Sequence, residues 1–470
     1  MRRARPSGAT DGAHDDPRRW WGLAVLSVAL CAIVLDNTIL NVALPTLRRA
    51  LRASESDLQW ITTAYALTLS GLLLPLAVLG DRFGRRRMLL AGLTLFGTAS
   101  AVAAFTTSPI QLALARGAMG IGGAATTPST LSLLGNIFSE SERGRAIAIW
   151  AGIAGIAGAA GPVAGGVLLS RFWWGSIFLV NVPVVALTLL GAVRLLPPSR
   201  AVVARAVDGR GSLLWAGSLG LVLFAVIEGP VRGWSSPPVW GAGFAACVLM
   251  AGFARRELSA PAPMLPPSMA RDPRLRAGAA TIGGMFFAAF GMQFILTQWI
   301  QGVRGRSALA AGLCFMPMAL ATVVTATRNP ALARRYGPRL VVVIGMAVMA
   351  LGLLLAAWAV AAGAGLGWLL GALVVLGAGQ GAAVPLGVEL MMTSVPPAQA
   401  GSAAGVNETL VEAGGAVGVA VLGSTLAAGA GYAVPVVVAA GGALLAGGGA
   451  FGLLRAGRAV GGGGRATSLG

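Results

Sequence analysis

The stretch Val34-Leu35-Asp36-Asn37-Thr38-Ile39-Leu40-Asn41-Val42-Ala43-Leu44-Pro45 closes an apolar run that begins at Trp20. From Trp20 to Leu44 is 25 residues, enough to cross a bilayer as a helix. Asp36 lies within that span, flanked by Asn37, Thr38 and Asn41. A carboxylate in hydrocarbon costs at least about 2.5 kcal/mol on insertion scales, so it faces a cavity or a partner. The alternative is an acid that only packs helices, bonded to a neighbour.

Composition extends that reading to the whole chain. The 470 residues are 56% hydrophobic and 11% charged, with a mean hydropathy of +0.78. Soluble domains carry about 25% charge. Sixty-nine glycines suit close-packed membrane helices, where small residues let backbones approach. Apolar spans are expected at roughly 20–44, 58–79, 88–106, 109–134, 146–169, 177–196, 212–231, 238–254, 277–300, 308–327, 340–361, 367–392, 402–427 and 432–454. The fold class is an all-α polytopic membrane protein with fourteen spans.

The net charge is +19, and all 35 basic residues are arginine. Twenty-seven fall in one set of alternate loops and the tails, one (Arg116) inside a span, and seven on the other side: Arg48, Arg49, Arg52, Arg171, Arg232, Arg304 and Arg306. That asymmetry follows the positive-inside rule and puts both termini in the cytoplasm. The basic excess therefore reads as topology and contact with anionic lipid, and nucleic acid is not an expected partner. The loop at Pro396-Pro397-Ala398-Gln399 carries no arginine, against the trend. Cys31, Cys247 and Cys314 fall in apolar spans and give no disulfide framework. His14 is the only histidine, which excludes His-rich zinc sites and His-based catalysis; no metal or other cofactor is expected.

Longer polar linkers divide the chain. Residues 1–19 read as a disordered cytoplasmic tail, 20–196 as a six-helix bundle, 197–276 as a linker with two extra spans, 277–454 as a second six-helix bundle, and 455–470 as a cytoplasmic tail. Met119-Gly120-Ile121-Gly122-Gly123-Ala124-Ala125 with Pro128 has an echo in Gly377-Ala378-Gly379-Gln380-Gly381-Ala382-Ala383 with Pro385. Two related bundles around a midplane cavity is the logic of secondary transporters.

Five local patterns carry a resemblance. Leu79-Gly80-Asp81-Arg82-Phe83-Gly84-Arg85-Arg86-Arg87 follows the second span, with Ala77 where a leading glycine is usual. Leu112-Ala113-Leu114-Ala115-Arg116-Gly117 opens the fourth, with Met119 where glutamine is usual. The fifth span reads Gly152-Ile153-Ala154-Gly155-Ile156-Ala157-Gly158-Ala159-Ala160-Gly161-Pro162-Val163-Ala164-Gly165-Gly166. The second and sixth open on Asp57-Leu58-Gln59-Trp60-Ile61-Thr62-Thr63-Ala64-Tyr65 and Trp174-Gly175-Ser176-Ile177-Phe178-Leu179-Val180-Asn181-Val182-Pro183. With the Asp36 stretch, these resemble the fourteen-helix drug:proton antiporters of the major facilitator superfamily. The resemblance covers nearly the whole chain and is weakest after residue 427.

The resemblance implies a role for two of these patterns. Asp81, Gly84 and Arg85 would form a conformational latch, with Asp81 meeting the start of the eleventh span after Arg339. The alternative for these residues is a plain positive-inside anchor. The second-half counterpart, Arg334-Arg335-Tyr336-Gly337-Pro338-Arg339, lacks the acid. Gly158, Gly161, Pro162, Gly165 and Gly166 resemble the motif of the exporting branch, against a plain packing helix.

Depth can be read from helical rise. Arg116 lies roughly 10 Å from the outer end of its span and Asp36 roughly 24 Å from the inner end of its own, so both sit in the outer half. A pair between them would neutralise both charges. Glu408 and Glu412 stand at i and i+4 on one face of the thirteenth span, about 10 and 16 Å from Gly401. Asp36, Glu408, Glu412 and Arg116 are thus the expected proton-coupling and substrate groups. Asn37, Asn41, Trp60, Tyr65, Asn181 and Gln293 are pocket candidates; Trp60 could equally belong to an interfacial belt. Glu228 and Glu389 read as interfacial.

The reading is a monomeric antiporter, not an enzyme, that uses the proton-motive force to export hydrophobic or cationic drugs from a bacterium. An exporter of one endogenous metabolite or antibiotic shares all these motifs. A membrane enzyme lacks support in any ligand cluster or large loop domain, and a sensor lacks a sizeable soluble domain.

Overall fold

The computed structural model describes residues 19–197, 208–259, 271–395 and 400–462. The expected N-terminal tail up to residue 18, the loop at Pro396–Gln399 and the end of the C-terminal tail lie outside the described residues. Fourteen helical spans follow one another within them: α1 (Arg19–Leu51), α2 (Glu55–Phe83), α3 (Arg85–Ala104), α4 (Pro109–Ile137), α5 (Glu140–Arg171), α6 (Ser176–Leu195), α7 (Gly209–Arg232), α8 (Pro237–Ser259), α9 (Pro273–Val303), α10 (Ala308–Tyr336), α11 (Pro338–Ala361), α12 (Leu366–Thr393), α13 (Ala400–Ala427) and α14 (Ala433–Gly462). There are no strands among the described residues. Thirteen of the spans are long and apolar enough to cross a membrane. The exception is α4, whose Arg116 and run of Gly, Thr and Ser dilute its hydropathy over 29 residues.

Local sequence explains the boundaries. Ser54 caps α2 in a reciprocal box with Asp57: its Oγ accepts from the Asp57 N–H at 3.1 Å, and its own N–H donates to Asp57 Oδ2 at 2.8 Å. Gly84 alone joins α2 to α3, at φ +113°, where a side chain would be strained. Gly337 joins α10 to α11 in the same way, at φ +81°. The last turn of α9, Trp299–Val303, is a π turn.

Packing repeats between halves. In the first, α4 lies on α2 and α3, α1 on α5 and α6, and α3 on α6; in the second, α12 lies on α10 and α11, α9 on α13 and α14, and α11 on α14. The glycine echo has a structural cause. Gly120 leaves no room for a Cβ against α2, and Gly377 leaves none against α10; Gly122 abuts Gly92 and Phe96 of α3, and Gly379 abuts Gly345 and Met349 of α11. The equivalence is therefore Gly120 with Gly377, eight residues before Pro128 and Pro385, one step from the pairing the sequence alone suggests. One buried apolar cluster runs through both bundles. The α7–α8 hairpin rests α7 on α2 and α13 at a seam between the bundles.

Candidate functional site

Asp36 is 2% exposed and its charge is fully engaged. One carboxylate oxygen ion-pairs with Arg116 Nη1 of α4. The other accepts from Asn181 Nδ2 of α6 at 2.7 Å, and the same amide donates to Ser100 Oγ of α3 at 3.0 Å. Arg116 has no exposure; its Nε donates to the Ile61 carbonyl at 3.4 Å, and its guanidinium lies 4.4 Å from the centroid of the buried Tyr65 ring. Five helices of one bundle, α1, α2, α3, α4 and α6, thus converge on a single ion pair. In hydrocarbon, such pairing is what makes either charge tolerable.

The second bundle presents a different kind of acid. Glu412 is 8% exposed, and its Oε2 has no hydrogen-bond partner. The Asn37 amide of α1 reaches its carboxyl from across the seam. Glu408, one turn away, is half-buried beside Asn407 of its own helix. One turn along α1 from Asn37, Asn41 Nδ2 donates to Gln293 Oε1 of α9 at 3.2 Å. Asp36, Arg116, Tyr65 and Asn181 therefore gather on one side, and Glu408, Glu412 and Gln293 on the other, with Asn37 and Asn41 between.

Trp60 does not join this cluster. Its Nε1 donates to Glu228 of α7 at 3.2 Å, and Glu228 also pairs with Arg232 at 2.7 Å. Five residues separate Trp60 from Tyr65, about 140° around the helix, so the two cannot face one cavity. Asp81 likewise meets a different partner from the expected one. It pairs with Arg85 at 2.7 Å, and Arg85 donates to the Ser132 carbonyl, both within its own bundle. Arg339, beside the start of α11, instead lies over the Phe451 ring at 4.1 Å.

The reason lies in where the bundles touch. At the arginine-poor end, Gln298 Nε2 donates to Glu55 at 2.9 Å, Arg48 pairs with Glu55 at 3.3 Å, and Gln301 donates to the Val42 carbonyl at 2.8 Å. Near the same end, Gly166 abuts the backbone of Leu309, and Gly312 abuts the Pro162 carbonyl. At the arginine-rich end, Gly405 meets Leu74, but Asp81 stays within its bundle. The glycine-rich face of α5 thus serves two neighbours. Gly158, Gly161 and Gly165 receive Val34, Thr38 and Ile39 around Asp36, while Pro162 and Gly166 receive α10.

The sequence reading missed Ser100 and the Glu55–Gln298 clasp. Ser100 carries no signal, being one of many serines in apolar helices. Glu55 reads as a first-turn acid, and only its proximity to Gln298, five residues beyond Gln293, gives it a second role.

A family model described as Major Facilitator Superfamily matches residues 26–419 and 329–465. The multidrug resistance protein Stp of Mycobacterium tuberculosis is 36% identical over 414 residues, covering 86% of this chain and 75% of Stp. The tetracenomycin C resistance and export protein of Streptomyces glaucescens is 32% identical over 422 residues, covering 89% and 78%. Among solved structures, the POT family transporter PepTSo aligns with a TM-score of 0.72 at 15% identity, covering 94% of this chain and 98% of that one.

Proposed function

The chain belongs to the Major Facilitator Superfamily, and from that membership we propose that it is a drug exporter driven by the proton-motive force. It works in the cytoplasmic membrane of a bacterium, as a monomer without a cofactor, with both termini inside. Hydrophobic cations are its substrates. The observation that carries this reading is the contrast among its buried acids. Asp36 is neutralised by Arg116, whereas Glu412 keeps an unpartnered carboxylate oxygen beside the seam.

An unpartnered acid in an apolar helix can hold a proton or a cation, but not both. Ionised Glu412, with Glu408 one turn away, attracts an organic cation from the cytoplasm. Protonation from outside removes the charge that holds it, and the cation leaves. Asp36 and Arg116 fix the wall opposite, and Asn37 and Asn41 read across the seam. The bundles rock about this site, each ligand favouring the state it binds better.

The test is ethidium efflux from reconstituted vesicles under an imposed pH gradient. The parent exports; Glu412→Gln loses at least about tenfold in rate, and Glu408→Gln loses less, because only Glu412 has an open carboxylate oxygen beside Asn37. Gradient-driven export unchanged in both variants would sink the assignment.

A second reading is favoured by the likeness to the tetracenomycin C export protein: an exporter dedicated to one endogenous antibiotic on the same fold. A parent that ignores ethidium yet couples the gradient to such a compound would establish it.

A further inference from the structure

Arginine is disfavoured on the outer side of a bacterial membrane protein. Seven are expected there, and three of them have a visible side-chain partner among the described residues. Arg232 pairs with Glu228. Arg304 donates to the Gly363 and Ala364 carbonyls. Arg48 pairs with Glu55 at 3.3 Å. Arg49 and Arg306 make no hydrogen bond or ion pair through their guanidinium groups among the described residues. Yet Arg48, Arg49 and Arg306 all line one cavity of about 660 Å³. No aspartate or glutamate lines it. Its remaining polar wall includes Ser170, Gln301 and Tyr432.

The position of the cavity matters as much as its charge. Arg48 and Arg49 end α1 of the first bundle, and Arg306 follows the π turn of α9 in the second. The cavity is walled by both bundles, immediately outside the Gln298–Glu55 and Gln301–Val42 clasps. Its walls come from both bundles, so its shape depends on their approach at this end. Arg49 and Arg306 have no carboxylate partner and Arg48 has only Glu55, so the three guanidinium groups carry a net positive charge that suits a phosphate or a similarly sized oxyanion, whose oxygens match their planar forks.

We propose that this cavity is an anion site that takes a phosphate group and, by joining Arg48 and Arg49 of one bundle to Arg306 of the other, favours the outward-closed state. The occupant gains its binding energy only in that state, so it shifts the population towards it. By reciprocity, closure at this end raises the affinity for the anion. The site stands apart from the acids of the transport pathway and is independent of which cation is exported.

The test uses the full chain in a phosphate-free detergent, with Cys31, Cys247 and Cys314 replaced by alanine. Spin labels at Ala50→Cys and Val303→Cys report the separation of the bundles at the outer end. Inorganic phosphate is titrated, and in a second arm the protein is placed in discs of phosphatidylglycerol or of a phosphate-free glycolipid. Phosphate should enrich the short distance, with a half-effect concentration raised about tenfold or more in Arg49→Gln and in Arg306→Gln. Arg52→Gln, an outer arginine off the cavity, controls for simple screening and should match the parent. A shift with phosphatidylglycerol but not with free phosphate identifies a lipid headgroup as the source and supports the site. No shift from either source, or equal shifts in all three arginine variants, overturns it.

Discussion

Asp36 and Glu412 are both carboxylates buried in apolar helices, but they are held in opposite ways. Every charge-bearing atom of Asp36 is matched, by Arg116 and Asn181, within one bundle. Glu412 has one oxygen without a partner and one neighbour, Asn37, that belongs to the other bundle. A matched acid is part of the scaffold's polar architecture. An unmatched acid at a seam between bundles is open to a ligand. The sequence places Asp36 in the outer half and Glu412 nearer the midplane, both in apolar spans, and only the packing shows how differently they are held.

The largest test of that contrast is a stability measurement. Arg116→Met strands Asp36 in the core, and breaking such a pair costs about 3–5 kcal/mol. Thermal unfolding in detergent should drop accordingly and drag export down with it. The double change Asp36→Asn with Arg116→Met should recover much of the stability, because no charge is left unpaired, while export stays low. Glu412→Gln should change stability by less than about 1 kcal/mol, since it removes no matched charge. Equal stability losses in Arg116→Met and Glu412→Gln would erase the distinction.

A smaller effect comes from the glycines that seat Asp36. Gly161 faces Thr38, and a Cβ there overlaps the Thr38 side chain. Gly161→Ala should therefore push α5 off α1, costing about 1–3 kcal/mol. Thr38→Ala should restore part of that loss, because the obstructing atoms go. Gly155 lies on the same helix facing open space, and Gly155→Ala should be neutral or slightly stabilising. Export measured across the three variants should follow stability. If Gly155→Ala proves as harmful as Gly161→Ala, the close approach of α5 to α1 does not hold Asp36 in place.

Much of this was legible before any coordinates. Span count, the Asp36–Arg116 pairing geometry and the glycine face of α5 all follow from local rules: hydropathy, rise per residue and small-residue spacing. What escaped depends on rotation and on state. Trp60 and Tyr65 share a sequence neighbourhood but not a helix face, and only the contact with Glu228 shows which way each turns. The resemblance implies that Asp81 meets the other bundle. With the bundles clasped at the other end, its acid falls back on Arg85, four residues away. A motif encodes a contact available to the chain; which state the chain occupies is set by the sum of seams, and that sum is not local.

The smallest effect calibrates the comparison, using a third acid outside the hydrocarbon. Asp208 caps α7: its carboxylate accepts from the Gly211 N–H at 3.0 Å and from Arg256 of α8 at 2.7 Å. Burial alone would raise its pKa, but the Gly211 N–H and the Arg256 guanidinium outweigh that and hold it below the usual value of 3.8. A lowered folded pKa means its stabilisation is present above about pH 4 and is lost as the pH falls through the lower folded value. Asp208→Asn keeps the cap, since asparagine caps as well, and gives up the charge. The cost should be no more than about 1 kcal/mol, because Arg256 is partly exposed and solvent screens the pair. The variant should lose the acid-side slope in unfolding measurements below about pH 4. Added salt should also shrink the difference between parent and variant for Asp208, whereas the penalty of Arg116→Met should persist, because ions do not reach a pair with no exposure. The same two chemical groups thus give a small, salt-sensitive contribution at the water boundary and a large, salt-blind one in the core. An Arg116 penalty that salt abolishes would mean that water reaches Asp36, and its role would then converge on that of Glu412.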